Sequence, residues 1–221
     1  MIKAVIFDFD GTLSNTIFSI QYFANKTLEK YGLKTADTEQ FKKFVGDGAR
    51  ILVKRLMKNA GADPDGELFE KVLKEYNESY DSDPLYLVRP YDGICEILNA
   101  LGDMGIKTAI ISNKPNSTAR KIAASIFGGF KFDAVYGQRE GIPVKPDPTS
   151  VNMIMDELGV TPDECLYVGD TSTDMQTGKN AGIFKIGVLW GFRDRDDLKD
   201  ADIITDNPNE IVETVRRKNN V

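Results

Sequence analysis

The chain contains no histidine. That absence removes Ser-His-Asp and Cys-His nucleophilic catalysis, and with them His-based zinc sites. Acid–base chemistry is left to Asp, Glu, Lys, Tyr or Cys. Cysteine is nearly missing as well. Cys95 and Cys165 are the two present, far apart and without a C-x-x-C spacing. This argues against a disulfide framework and for a reducing, cytoplasmic setting; both read as small buried apolar side chains. No apolar run approaches the roughly 20 residues of a membrane helix, and the N-terminal run stops at Asp8, unlike a signal peptide. Neither a membrane nor a leader is expected. Positive charge is the minority sign, with 28 Lys+Arg against 34 Asp+Glu and a net charge of -6. Without a basic run to neutralise a phosphate backbone, no nucleic-acid partner is expected. Small anionic substrates stay compatible where basic residues gather locally. A length of 221 residues suits one large or two small domains.

What is present is concentrated at the start: Val5-Ile6-Phe7-Asp8-Phe9-Asp10-Gly11-Thr12. An apolar run bounded by glycine reads as a short buried strand. A buried parallel strand delivers its C-terminal end to the crevice where α/β proteins bind ligands. Two acids placed there are costly unless a cation pairs with them. A hard divalent ion such as Mg2+ suits one or two carboxylates plus substrate phosphate. Asp8 would then serve as both metal ligand and nucleophile.

Further strand-like runs follow at 106–111, 133–136, 165–168, 184–189 and 202–204, ending at Ser112-Asn113 in the first case and at Gly169-Asp170 in the third. Helical spacing lies between them: Ala119, Ile122, Ala123 and Ile126; Val151, Ile154, Met155 and Leu158; and a last helix with Ile211, Val212 and Val215. This alternation predicts an α/β, doubly wound parallel sheet. Residues 15–83 differ, with helical periodicity alone. Ile17, Ile20, Phe23, Ala24, Leu28 and Tyr31 trace one face. Phe41, Phe44 and Val45, then Ile51, Leu52, Leu56 and Met57, then Leu68, Phe69, Val72, Leu73, Tyr76 and Tyr80 suggest three more helices. Asp83-Pro84 closes the stretch, because a residue before proline resists helix. The predicted organisation is a core of residues 1–14 and 84–221 interrupted by an all-helical insertion, 15–83.

Four pieces line up in order: Asp8-x-Asp10-Gly11-Thr12; Ser112-Asn113 at a strand end; Lys145-Pro146 before a helix; and Gly169-Asp170-x-x-x-Asp174. Singly, Ser112-Asn113 reads as a helix cap, Lys145-Pro146 as a surface loop and Asp174 as a solvated helix residue. Together they resemble the haloacid dehalogenase-like phosphatase superfamily, over nearly the whole chain. The resemblance implies a Rossmann-like core, with the insertion as a small helical cap. It implies that Asp8 forms an aspartyl-phosphate and that Asp10 protonates the leaving alcohol, then activates water. Gly11 permits close backbone approach to phosphate. Ser112, Asn113 and Lys145 would hold phosphoryl oxygens. Mg2+ would be bound by Asp8, the Asp10 carbonyl and Asp170. Asp174, one helical turn beyond Asp170, would support the site together with Thr12.

Within that superfamily the chain is similar to the phosphoglycolate phosphatase-like group. Phe44-Val45-Gly46-Asp47-Gly48-Ala49-Arg50, Ser112-Asn113-Lys114-Pro115, Lys145-Pro146-Asp147-Pro148 and Val188-Leu189-Trp190-Gly191-Phe192 carry that similarity. Gly46 and Gly48 could bend backbone amides over a substrate, and Arg50 with Lys54 could bind its carboxylate. The competing reading is a glycine turn followed by a solvated basic face. Trp190 and Phe192 read as core packing or as braces for the cap interface, with packing the leading reading. The resemblance implies a Mg-dependent phosphatase on a small phosphomonoester, with 2-phosphoglycolate as the leading substrate, acting as a monomer or weak homodimer. Pyrophosphatase, nucleotidase and beta-phosphoglucomutase-like activities share the core. A receiver-like phospho-aspartate signalling domain is the non-enzyme alternative, although it carries its aspartate on a later strand and lacks a large insertion.

Overall fold

In the computed structural model, which describes residues 1–220, the chain begins with β1 (Ala4–Phe7) and β2 (Ser14–Asn15). Four helices follow: α1 (Ile17–Lys30), α2 (Thr38–Phe44), α3 (Ala49–Asn59) and α4 (Glu67–Ser82). Then come β3 (Arg89–Pro90), α5 (Ile94–Asp103), β4 (Lys107–Pro115), α6 (Asn116–Ile126), β5 (Ala134–Gln138) and α7 (Thr149–Leu158). The last are β6 (Cys165–Gly169), α8 (Ser172–Asn180), β7 (Phe184–Val188), β8 (Ile203–Thr205) and α9 (Asn209–Asn219). Two compact units result, one of residues 1–15 with the chain from Arg89 onward, the other Thr16–Val88.

The first unit is built on a six-stranded sheet of order β5-β4-β1-β6-β7-β8, every neighbouring pair parallel. It is the doubly wound, Rossmann-like α/β architecture expected. β1 lies in the middle, Ala4 opposite Lys107 on one side and Cys165 on the other. A central parallel strand is covered on both faces, which is why all four of its residues are apolar and buried. Ala4, Ile6, Ala109, Ile111, Val151, Ile154 and Tyr167 share one core cluster. The parallel registers bring the C-terminal ends of β4, β1 and β6 side by side. Asp8, Ser112 and Asp170 therefore arrive at one edge of the sheet.

Three features were not expected. The helix α5 buries Ile94, Ile97, Leu98 and Leu101, an i, i+3, i+4, i+7 stripe. The antiparallel β2–β3 ribbon, Ser14 opposite Pro90 and Asn15 opposite Arg89, is too short to leave a period. The strand β4 continues past Ser112 to Pro115, with a break in register between Ile111 and Pro115.

The second unit is all helical. On α1 the expected residues Ile17, Ile20, Phe23, Ala24 and Leu28 are buried, while Tyr31 has become the C-cap. Asp37 and Gln40 form a capping box on α2, which satisfies two otherwise orphaned backbone donors. The α3 stripe is Leu52, Val53, Leu56 and Met57. Ile51, expected inward, is 38% exposed, because that stripe leaves residue 51 on the helix's other face. The helix α4 buries Phe69, Val72, Tyr76 and Tyr80 and ends at Ser82, before Asp83-Pro84. The Phe23 and Tyr80 rings meet edge-on at 5.4 Å.

Candidate active site

The site is assembled at the end of β1. The Asp8 amide donates to Val168 O at 2.8 Å, locking the first motif to β6. The chain then turns at once, with Leu13 and Ser14 amides returning to Phe9 O and the Gly11 amide donating to Ser14 O. Gly11 has φ 93°, and a Cβ there would sit 2.8 Å from Asp170 Cγ. Both the backbone conformation and the space demand glycine. Thr12 Oγ1 donates to Asp170 Oδ1 at 3.2 Å, and the Phe192 amide donates to Asp170 Oδ2 at 2.7 Å.

Asp170 precedes α8 rather than lying on it, so Asp174 is not one helical turn beyond it. Asp174 is the third residue of α8 and forms a capping box with Thr171. Its Oδ2 accepts from the Thr171 amide at 3.1 Å and from Thr171 Oγ1 at 2.6 Å. Its Oδ1 accepts from Tyr167 OH at 3.1 Å and from Lys145 Nζ at 2.7 Å. Lys145 Nζ also lies 2.5 Å from Asp8 Oδ1. Neither Lys145 nor Asp174 is the exposed residue its local sequence suggests, since both side chains are buried. Asn113 Oδ1 accepts from the Lys145 amide at 2.9 Å, tying the end of β4 to the lysine loop. Ser112 Oγ accepts from the Lys114 amide at 3.1 Å.

One carboxylate oxygen from each of Asp8, Asp170 and Asp174 lies within 4.8 Å of the others. Burial, then the charges of Asp174 and Asp170, push the Asp8 carboxyl well above the usual range against the pull of Lys145. Burial and the Asp174 charge push Asp170 up to about 7, opposed by the Phe192 amide, Lys145 and Thr12. Burial works against the Lys145 ammonium, but Asp174 and Asp8 outweigh it and hold its pKa well above the ordinary lysine value. With all three buried acids ionised, one buried ammonium leaves an excess of negative charge. That all-oxygen, over-acidic set fits a hard divalent cation. Each Asp174 oxygen already accepts two hydrogen bonds, whereas each Asp170 oxygen accepts one, which leaves Asp8 and Asp170 as the less encumbered direct donors.

Asp10 stands outside this cluster. Its Oδ2 lies 3.4 Å from Lys114 Nζ. In the helical unit, Gly46 and Gly48 have φ 114° and 86°, and Gly48 is the N-cap of α3. Arg50 places both terminal nitrogens 2.7 Å from Glu70 Oε1, its guanidinium 4.9 Å from the Phe69 ring centre. Lys54 pairs with Asp65 and lies over the same ring. Sequence reasoning did not single out Lys114 or Tyr167 and read Trp190 as packing. The Trp190 indole N–H donates to Thr12 O at 2.9 Å, bracing the first motif.

The family model for haloacid dehalogenase-like hydrolases matches residues 5–188. The chain belongs to that family. An Aquifex aeolicus phosphoglycolate phosphatase is 31% identical over 190 residues, 86% of this chain and 86% of its own. A Pseudomonas aeruginosa N-acetylmuramic acid 6-phosphate phosphatase is 29% identical, covering 98% of this chain and 96% of its own. A crystal structure from Lactobacillus delbrueckii subsp. bulgaricus is 29% identical, with TM-score 0.89 over 96% of this chain and 98% of that one. This haloacid dehalogenase-like hydrolase is a phosphoric monoester hydrolase of the phosphoglycolate phosphatase-like group. No described helix is long and apolar enough to cross a membrane.

Proposed function

We propose that the protein is a Mg2+-dependent phosphatase that hydrolyses a small phosphomonoester through a phosphoryl group carried on Asp8. The observation that carries this reading is the pairing of Asp8 Oδ1 with Lys145 Nζ at 2.5 Å beside Asp170 and Asp174. A carboxylate so placed serves as a nucleophile, and the ammonium offsets charge on the transferring group.

In the first half-reaction an Asp8 oxygen attacks phosphorus and the bond to the alcohol oxygen breaks. Asp10 gives that oxygen its proton. In the second, Asp10 takes a proton from water as the water oxygen attacks phosphorus. The bond from Asp8 to phosphorus breaks and inorganic phosphate leaves. Ser112 Oγ, the Asn113 amide and Lys145 Nζ bind the non-bridging oxygens, and Gly11 lets backbone approach them. Asp8, the Asp10 carbonyl and Asp170 would hold Mg2+, with Asp174 and Thr12 orienting the donors. Bound there, the ion would supply positive charge against the phosphoryl oxygens.

The relatives' names favour 2-phosphoglycolate as substrate. The length and coverage of the match to the N-acetylmuramic acid 6-phosphate phosphatase make a sugar 6-phosphate the second reading. The composition and the cysteine usage support a cytoplasmic enzyme. The test is phosphate release with Mg2+ from both substrates and from p-nitrophenyl phosphate. The wild-type protein turns over and Asp8→Asn does not. Equal turnover by Asp8→Asn would falsify the nucleophile assignment.

A further inference from the structure

The β4–β5 ladder changes register beside the site. Ile111 pairs with Tyr136, yet the next pair is Pro115 with Gln138, so β4 advances further than β5 over this stretch. A bulge of this kind re-aims side chains and is frequent next to active sites. It is held from two sides. The Lys114 amide donates to Ser112 Oγ at 3.1 Å. On the facing strand, a Cβ at Gly137 would lie 2.6 Å from Lys114 O and 2.8 Å from Asn116 N. The close approach of β5 therefore depends on residue 137 having no side chain.

The consequence is the direction of the Lys114 side chain. It is only 7% exposed, and its Nζ lies 3.4 Å from Asp10 Oδ2. The other carboxylate oxygen, Asp10 Oδ1, is buried and accepts no hydrogen bond. With one oxygen unanchored, the carboxylate takes its orientation from the ammonium on the other.

We propose that Lys114 is a positioning residue for Asp10, aimed by the β4 bulge and fixing the carboxylate that transfers protons to and from the reacting oxygens. The inference rests on the acid–base role given to Asp10 above. Displacing Asp10 slows the first step most where the leaving oxygen needs a proton. An alkyl alcohol needs one and p-nitrophenolate does not. The kcat/KM value reports that first step alone.

The experiment compares kcat/KM for 2-phosphoglycolate and p-nitrophenyl phosphate in wild type, Asp10→Asn, Lys114→Met and Lys114→Arg. Lys114→Gln replaces the methionine variant if that one does not fold. Lys114→Met is expected to lose about 10²-fold on the alkyl ester, severalfold or less on the aryl ester, with partial rescue by Lys114→Arg. An equal loss on both esters would overturn the proposal. So would a rise in KM for 2-phosphoglycolate with kcat unchanged, which would make Lys114 a substrate ligand. If Asp10→Asn itself shows no bias between esters, the role of Asp10 falls and the proposal with it. If Asp10→Asn is biased and Lys114→Met is not, the positioning role alone falls.

Discussion

Lys145 Nζ and Asp174 Oδ1 meet at 2.7 Å, and each has a further partner: the same ammonium also holds Asp8 and the same carboxylate caps α8. The lysine thus joins Asp8, the proposed nucleophile, to the start of a helix. Lys145→Met should lower kcat by about 10²–10³-fold, the scale for losing one preorganised stabiliser of a developing anion. It should also leave Asp8 and Asp174 buried without a cation, a loss of about 3–5 kcal/mol when one partner of a buried pair is removed. Thermal melts and steady-state rates on the same preparation check both.

The pH dependence of stability follows from Asp170. Its carboxyl is raised from 3.8 to about 7 by burial and by Asp174. Between those values the folded protein keeps a proton that the unfolded chain has released. The contribution of Asp170 to stability therefore falls as pH rises across that window and is lost above about pH 7. The Tm of the metal-free protein should be lower at about pH 8 than at about pH 5. Mg2+ should raise Tm more at the higher pH, where it no longer competes with the proton. A Mg2+ effect independent of pH would contradict this.

Tyr167 gives a smaller, cleaner test. Its buried hydroxyl donates to Asp174 Oδ1 at 3.1 Å, where Lys145 also binds. Tyr167→Phe should cost about 1 kcal/mol, the net value of one hydrogen bond. Because the oxygen keeps its lysine, kcat should fall only severalfold. Denaturant melts with an unchanged m value would confirm a local effect.

Arg50 already has a carboxylate. Both terminal nitrogens sit on Glu70 and the guanidinium faces Phe69. An exposed pair of this kind contributes about 0.2–1 kcal/mol. Arg50→Ala should lower stability by no more than that and leave KM for 2-phosphoglycolate and p-nitrophenyl phosphate unchanged. A selective rise in KM for 2-phosphoglycolate would instead assign Arg50 to the substrate's carboxylate.

The sheet was legible because β1 and β6 are short apolar runs ending in Asp8 and in Gly169-Asp170, and a parallel sheet places strand ends together. Burial of Lys145 and Asp174 was not legible from their own neighbourhoods. A lysine before proline and an aspartate in a first helical turn are ordinary surface patterns, and only the order of the four motifs joined them. The helix α5 carries a full apolar stripe and is legible in the sequence. The β2–β3 ribbon and the β4 bulge carry no period, and the sequence pattern does not place the side chains they direct, Lys114 among them. Tyr167 did leave a signal, since a tyrosine inside an otherwise apolar strand must find a partner for its hydroxyl. Trp190 left the same signal through its indole N–H.

The central claim is that phosphate passes through Asp8. Mixing Asp10→Asn with p-nitrophenyl phosphate and Mg2+, then quenching in acid, traps the covalent species when its hydrolysis is slowed. Peptide mass spectrometry should find the phosphoryl group on Asp8, and none in the Asp8→Asn, Asp10→Asn double variant. A phosphoryl group on another residue, or retained in the double variant, would contradict the account.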